Sequence, residues 1–209
     1  RAFEDQRARL IGDTVTVRHA ERLQDDGMLY TVALRSARAT DQYTLAADGP
    51  VTLEPAFGSI DDYCRTIDDA VRRVAEATGR TPLIVGHSMG GLAARAWLRA
   101  VPGSEQRVHR IVTLGSPHHG TWPARGARST NGRQMRLHGP WVRQLGQDEP
   151  PARAAVFVCW YSNCDNVVYP PAAAMLQGAD NRFIEGVAHV EMAFHPRVLQ
   201  DCLALLEQP

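Results

Sequence analysis

The run Pro82-Leu83-Ile84-Val85 passes without a spacer into Gly86-His87-Ser88-Met89-Gly90-Gly91, and Leu92-Ala93-Ala94-Arg95-Ala96-Trp97-Leu98 follows at once. No other stretch limits the fold so tightly. An apolar run with β-branched members and no alternation suits a strand buried on both faces of a parallel sheet, and the alanine-rich segment reads as a helix. The chain must turn from one into the other within a few residues. A G-x-S-x-G segment does this by forcing the serine into a tight, strained bend, where only small residues fit two places to either side. Gly86 and Gly90 supply that room. The bend lifts the Ser88 hydroxyl above the sheet at a helix N-terminus. It also aims the Met89 N–H at the point where a carbonyl oxygen gains negative charge under attack, which is one donor of an oxyanion hole. The bland alternative is a chance glycine-serine turn.

The flanking pattern fits the same plan. Ser59 is placed to cap a helix, with Asp62 three positions later and apolar residues at Ile60, Tyr63, Cys64, Ile67, Val71, Val74 and Ala75, ending at Gly79. Val108 to Leu114 reads as a second buried strand, Ala154 to Tyr161 as a third and Phe183-Ile184 as a fourth. Arg197 to Glu207 forms a closing helix with Val198, Leu199, Cys202, Leu205 and Leu206 inward. The rhythm is strand, helix, strand, helix, strand, expected as a mainly parallel sheet with helices on both faces. Residues 116–151 are loop-rich, with short helices expected near Gln134-Met135 and Trp141 to Leu145. Trp122, Met135, Leu137, Trp141, Val142 and Leu145 give this insertion the apolar content of an acyl groove or lid, or of ordinary core. The first fifty residues offer only short β-prone pieces, Thr14 to Val17 and Leu29 to Leu34.

A length of 209 residues predicts one domain across 1–209, with residues 1–50 atypical. Lys+Arg of 23 against Asp+Glu of 23 leaves no net charge, so no global field draws nucleic acid or an anionic membrane. No apolar run approaches a membrane span, and the chain opens on Arg1 without the apolar stretch of a signal peptide. Four cysteines, Cys64, Cys159, Cys164 and Cys202, are too sparse for a disulfide framework, although Cys159 and Cys164 are near enough in sequence for one small bridge. Neither metal-ligand spacing nor a glycine-rich phosphate loop occurs, so no cofactor and no metal are expected.

A serine hydroxyl needs a base to take its proton and a carboxylate to orient that base. After an elbow of this kind the acid and then the histidine follow later in the chain. Asp165 is the expected acid, because it lies in the loop beyond the third strand, at the carboxyl edge of the sheet where sites assemble. A turn-capping residue is its bland reading. Asp148 and Glu149 sit in the insertion, and Asp180 lies at the wrong end of a strand. For the base, His189 follows the fourth strand through Gly186, whereas His195 adjoins Pro196 at the start of the last helix and reads as a cap. His87 neighbours the nucleophile, and His109 lies in a strand. His189 is preferred.

Four segments together resemble one family: Gly86 to Gly91, then Thr113-Leu114-Gly115-Ser116-Pro117-His118-His119-Gly120-Thr121, then Asp165-Asn166-Val167-Val168-Tyr169-Pro170, then Gly186-Val187-Ala188-His189. Over roughly Leu53 to Pro209 the chain is similar to the bacterial triacylglycerol lipase and esterase branch of the α/β-hydrolases. The resemblance implies that fold, with Ser88 as nucleophile, Asp165 as acid and His189 as base. It also implies that His87, His118, Gly120 and Trp122 border the substrate, a small-molecule or lipid ester. A tight turn ordered by Pro117 and Gly120 is the structural alternative for that segment. Family members carry a His-Gly pair after an early strand, next to the second oxyanion donor. No His-Gly dipeptide precedes Ser88, so the second donor stays unassigned. Arg1-Ala2-Phe3 resembles the sequence just after that loop, which implies that the first strands are lacking or rebuilt. The expected activity is ester hydrolysis through an acyl-enzyme. An acyltransferase or thioesterase on the same triad is the alternative enzyme, and an inactive hydrolase-like binding module the alternative of another class.

Overall fold

The computed structural model describes Leu53 and residues 57–206, together with the backbone of three short strands nearer the N-terminus. These strands, β1 (Ala8–Leu10), β2 (Asp13–Val17) and β3 (Leu34–Ser36), form an antiparallel sheet with Val15 opposite both Ala8 and Ser36. The expected strand piece at Thr14 to Val17 falls within β2. Most of the second piece, Leu29 to Ala33, lies outside the described residues, as does Arg1-Ala2-Phe3.

The second sheet holds the sequence features that matter here. Its strands β4 (Leu83–His87), β5 (Arg110–Leu114), β6 (Phe157–Ser162) and β7 (Asp180–Ile184) are parallel and lie in chain order. Such pairing requires a crossover between each pair of strands. The first crossover is helix α2 (Met89–Ala100), and helix α1 (Cys64–Thr78) precedes the sheet. Ser59 caps a short 3-10 turn, Ile60–Tyr63, by a reciprocal bond with Asp62, and this turn leads into α1. Gly79 ends α1 in the left-handed conformation. Two short helices, α3 (Thr130–Gln134) and α4 (Pro140–Gln147), occupy the insertion, and α5 (Pro196–Leu206) closes the described chain.

Strand side chains alternate between two cores. Ile111, Phe157 and Cys159 face one layer, shared with Ile67, Leu92 and Trp97 of α1 and α2. Val112, Val158 and Trp160 face the other, shared with Val198, Leu199 and Cys202 of α5. Helices on both faces thus explain why β5 and β6 read as unbroken apolar runs. β4 departs from this. Leu83, Ile84 and Val85 are only half-buried, because β4 is the margin of the sheet among the described residues. A run of apolar residues shows how well a strand fits between layers, but not how many strands flank it. All four cysteines are free, with Cys159 buried and Cys164 exposed, so the small bridge considered from their spacing does not form.

Candidate active site

The elbow is built as its glycines require. β4 ends at His87, and Ser88 takes φ 53° and ψ −122° before α2 begins at Met89. A non-glycine residue in that region stores roughly 1–3 kcal/mol of strain, tolerated only where the surroundings fix it. The fixing is visible: the Ser88 N–H donates to the Leu114 carbonyl at 2.9 Å, tying the bend to the end of β5. A methyl group at position 86 would lie 2.8 Å from both the Gly90 carbonyl carbon and the Gly91 nitrogen. Only glycine lets β4 and the first turn of α2 approach so closely.

Asp165 lies in the loop after β6, and His189 in the loop after β7. Both are buried, at 7% and 4% exposure. His189 Nδ1 and Asp165 Oδ2 are 2.9 Å apart. Since a carboxylate only accepts, Nδ1 carries the proton of this bond, and Nε2 is the nitrogen turned away from Asp165. Asp165 uses its other oxygen as a turn cap. Oδ1 accepts the N–H groups of Val167 at 2.9 Å and Val168 at 2.7 Å. Burial pushes the Asp165 carboxyl up, but the His189 hydrogen bond and these two N–H donors outweigh it and hold the group below its ordinary range. The bland reading of Asp165 and the chemical one therefore describe its two oxygens.

Three features around this pair have no clear signal in the sequence. Gly115 ends β5 at φ 55°, and a methyl group there would lie 2.8 Å from Asp165 Oδ2 and 3.0 Å from His189 Nδ1. Asn166 accepts the His189 N–H through Oδ1 at 3.2 Å, fixing the loop that carries the imidazole. The third is His87. Its Nε2 lies 3.0 Å from the His189 carbonyl and must donate to it, and the two rings sit 4.6 Å apart. Burial, then the neighbouring His189, push the His87 imidazole down to about 4, so it stays neutral. His87 lies within the fold at 6% exposure, holding the His189 loop against the elbow. Its only signal was adjacency to Ser88.

The remaining candidates divide between core and surface. His118 has no exposed surface, and its Nε2 lies 3.0 Å from Thr113 Oγ1. Burial, then Arg95, push its imidazole well below the ordinary value. It is packed inside the molecule and borders no open surface. Gly120 takes φ 82° in a turn closed by its own N–H on the Pro117 carbonyl at 2.8 Å. Trp122 is 57% exposed. His195 accepts the Arg197 N–H at 3.3 Å, as a cap does. The rival acids are engaged elsewhere: Glu149 with Arg95 at 2.7 Å, Asp148 with Arg99 at 3.6 Å and Asp180 with Arg182 at 2.7 Å. Among the described residues no group of three His, Cys, Asp or Glu side chains could hold a metal ion.

Comparison with known proteins gives the family and the fold. Residues 46–177 match the family described as PGAP1-like alpha/beta domain. The chain belongs to the PGAP1-like alpha/beta domain family. Its fold is that of the lipase and esterase branch of the α/β-hydrolases. A Bacillus licheniformis lipase in mature form superposes with a TM-score of 0.62 at 17% identity, over 71% of this chain and 75% of that one. A phospholipase from Legionella pneumophila gives 0.59 at 14% identity, over 71% and 48%. For a metagenomic carboxyl esterase the values are 0.59 and 14%, over 73% and 63%. The early region has a different likeness: residues 6–59 match the bacterial alpha-L-rhamnosidase concanavalin-like domain. Two curated relatives share short stretches. An alpha-L-rhamnosidase of Streptomyces avermitilis is 59% identical over 46 residues, 22% of this chain and 4% of that protein. One of Formosa agariphila is 45% identical over 47 residues, 22% and 5%. The chain therefore spans only about a twentieth of these relatives, by the 4% and 5% shares.

Proposed function

We propose that this chain is a serine hydrolase that cleaves carboxylic esters through an acyl-enzyme. The observation that carries the reading is the 2.9 Å Asp165–His189 hydrogen bond, with the His189 carbonyl bound to His87, the residue before a serine in a strained strand-to-helix bend. Likeness to lipases and esterases supports a hydrolase of this fold in general terms.

In the proposed reaction Ser88 Oγ attacks the ester carbonyl carbon while its proton passes to His189 Nε2. Asp165 stabilises the imidazolium without taking the proton. The carbonyl electron pair moves onto oxygen, which the Met89 N–H stabilises. When that pair returns, the C–O bond to the alcohol breaks, and the alcohol leaves with the proton from Nε2. A water molecule then repeats the sequence on the acyl-Ser88 ester, giving the carboxylic acid and free Ser88. His87 acts by positioning, through the His189 carbonyl.

A fluorophosphonate probe tests the reading. Wild-type protein is expected to be labelled, and folded Ser88→Ala is not. Unlabelled but folded wild type would instead identify a binding module. A panel of p-nitrophenyl esters of increasing chain length then reports the acyl preference, and added alcohol or thiol acceptors report transfer.

A further inference from the structure

The zero net charge of the chain conceals a strong local imbalance. Residues 116–147 contain five arginines and no aspartate or glutamate. Arg125, Arg128, Arg133 and Arg136 are all exposed, and among the described residues none forms an ion pair. They belong to one compact piece of backbone. Arg125 lies in the 3-10 turn that starts at Trp122, Arg128 precedes the cap of α3, and Arg133 lies within α3. Arg136 reaches back to the Ala127 carbonyl at 2.9 Å.

An exposed apolar patch adjoins them. The Trp122 N–H donates to the Tyr169 carbonyl at 2.9 Å, and Thr121 Oγ1 donates to the Val167 carbonyl at 2.8 Å. These bonds clip the arginine-bearing segment to the loop whose turn Asp165 caps. They bring together Trp122, Tyr169 and Val167, which are 57%, 59% and 39% exposed. Nearby carboxylates are engaged elsewhere: Asp61, which accepts from Gln134 of α3 at 3.1 Å, is paired with Arg99, Asp62 accepts the Ser59 N–H at 3.2 Å, and Asp165 is bound to His189.

We propose that this surface docks the protein onto an anionic lipid bilayer, with Trp122 and Tyr169 at headgroup level and the four arginines against the lipid phosphates. Amphipathic aromatic rings suit the boundary between headgroups and acyl chains. Unpaired arginines add attraction to acidic lipid. An apolar anchor beside a basic patch supplies the two signals that stable attachment to a membrane surface takes. A soluble polyanion would satisfy the arginines but leave the aromatic pair in water. Docking here would bring the Asp165 loop, which carries Val167 and Tyr169, against the lipid. The docking does not depend on turnover.

The test therefore uses Ser88→Ala protein and co-flotation with vesicles of phosphatidylcholine alone or with added phosphatidylglycerol. Binding is expected with phosphatidylglycerol and at least about tenfold weaker without it, and it should fall as salt is raised. Trp122→Ser, and separately Arg125→Gln with Arg128→Gln and Arg133→Gln, should each weaken binding by about tenfold or more. Dextran sulfate, a polyanion with no acyl layer, should bind no more weakly to Trp122→Ser than to the parent. Equal partition into both kinds of vesicle, or binding that survives both sets of substitutions, would overturn the proposal. So would a Trp122→Ser loss on dextran sulfate as large as on vesicles. If wild type also hydrolyses esters, the arginine variants should keep their rate on a soluble p-nitrophenyl ester and lose rate on ester held in vesicles.

Discussion

Two clusters of buried polar side chains invite comparison. In one, Asp165 and His189 meet across two loops at the carboxyl end of the sheet. In the other, Arg95 of α2 is 2% exposed, bonded to Glu149 through Nε and Nη2 and to the His118 carbonyl through Nη1 at 2.9 Å. Both are shielded from water, and both match charge to carboxylate. In the Arg95 cluster a permanently charged guanidinium meets fixed acceptors through Nε, Nη1 and Nη2, which holds α2, the Gly115–Thr121 turn and the end of α4 together, while His118 Nδ1 is buried there without a partner. In the Asp165 cluster the His189 imidazole engages Asp165 through one nitrogen, and its backbone carbonyl holds His87, which leads directly into Ser88, a residue in a strained conformation. Burial and pairing do not distinguish the two. The strained bend at Ser88, next to the His87 that bonds to the His189 loop, does.

The largest expected contrast is in turnover. His189→Ala or Asp165→Asn should lower kcat/KM by up to about 10⁴-fold in protein that circular dichroism shows to be folded. His195→Ala should leave the rate near wild type, because His195 only caps α5. If His195→Ala inactivates and His189→Ala does not, the Asp165–His189 pair is structural and the comparison collapses.

Next comes stability. Glu149→Ala leaves Arg95 buried without its partner and should cost about 3–5 kcal/mol in chemical unfolding. Replacing both, Arg95→Met with Glu149→Leu, should recover much of that loss. A double variant no better than the single one would show that charge is not what matters in this cluster.

Acid should bear on the two histidines near these clusters, with a definite sign. His87 is held near 4 in the folded protein against an ordinary value of 6.5, so the unfolded chain takes up the proton first. Its contribution is complete above pH 6.5 and is lost as the pH falls toward 4, amounting to about 3 kcal/mol. His118 acts in the same direction. The depressed Asp165 carboxyl adds stability above the ordinary carboxylate range, which is lost at still lower pH. Melting temperature measured from pH 7 to 4 should fall, and His87→Gln should flatten the slope. An unchanged slope would rule out His87 as a contributor.

The smallest change tests spacing alone. Gly115→Ala introduces one methyl group 2.8 Å from Asp165 Oδ2, at a backbone angle that disfavours any side chain. A displacement of the pair by a fraction of an ångström should lower kcat by up to about 100-fold, with a loss of stability of about 1–2 kcal/mol. Wild-type kcat with the same loss of stability would show that the site tolerates more play than its packing suggests.

How far the molecule could be read from its sequence depends on the range over which each feature is determined. The strand, bend and helix at Ser88 are local, since every glycine that makes the bend possible lies within three residues of it. Asp165 and His189 are expected from chain order, Asp165 after a strand that its apolar composition marks clearly and His189 after one signalled only by Phe183-Ile184. His118 was expected beside the substrate and lies in the core instead, because an irregular loop has no period from which depth can be inferred. The half-burial of β4 was equally invisible, since the number of neighbours a strand has is decided far away in the chain. His87 and Gly115 look ordinary in one dimension, and only folding shows what each of them touches. The early residues gave short strand pieces, one of which lies in an antiparallel sheet whose region has its likeness in an unrelated family.

One consequence follows from the hydrogen bond between the Ser88 N–H and the Leu114 carbonyl. With a neighbouring strand on one flank alone among the described residues, the serine bend is braced like a shelf with a single bracket. Any disturbance in the backbone of Arg110–Leu114 would reach the hydroxyl as directly as a change in the bend itself. Substitutions in that stretch, although remote from every reacting atom, should then present as defects in chemistry before they present as defects in folding.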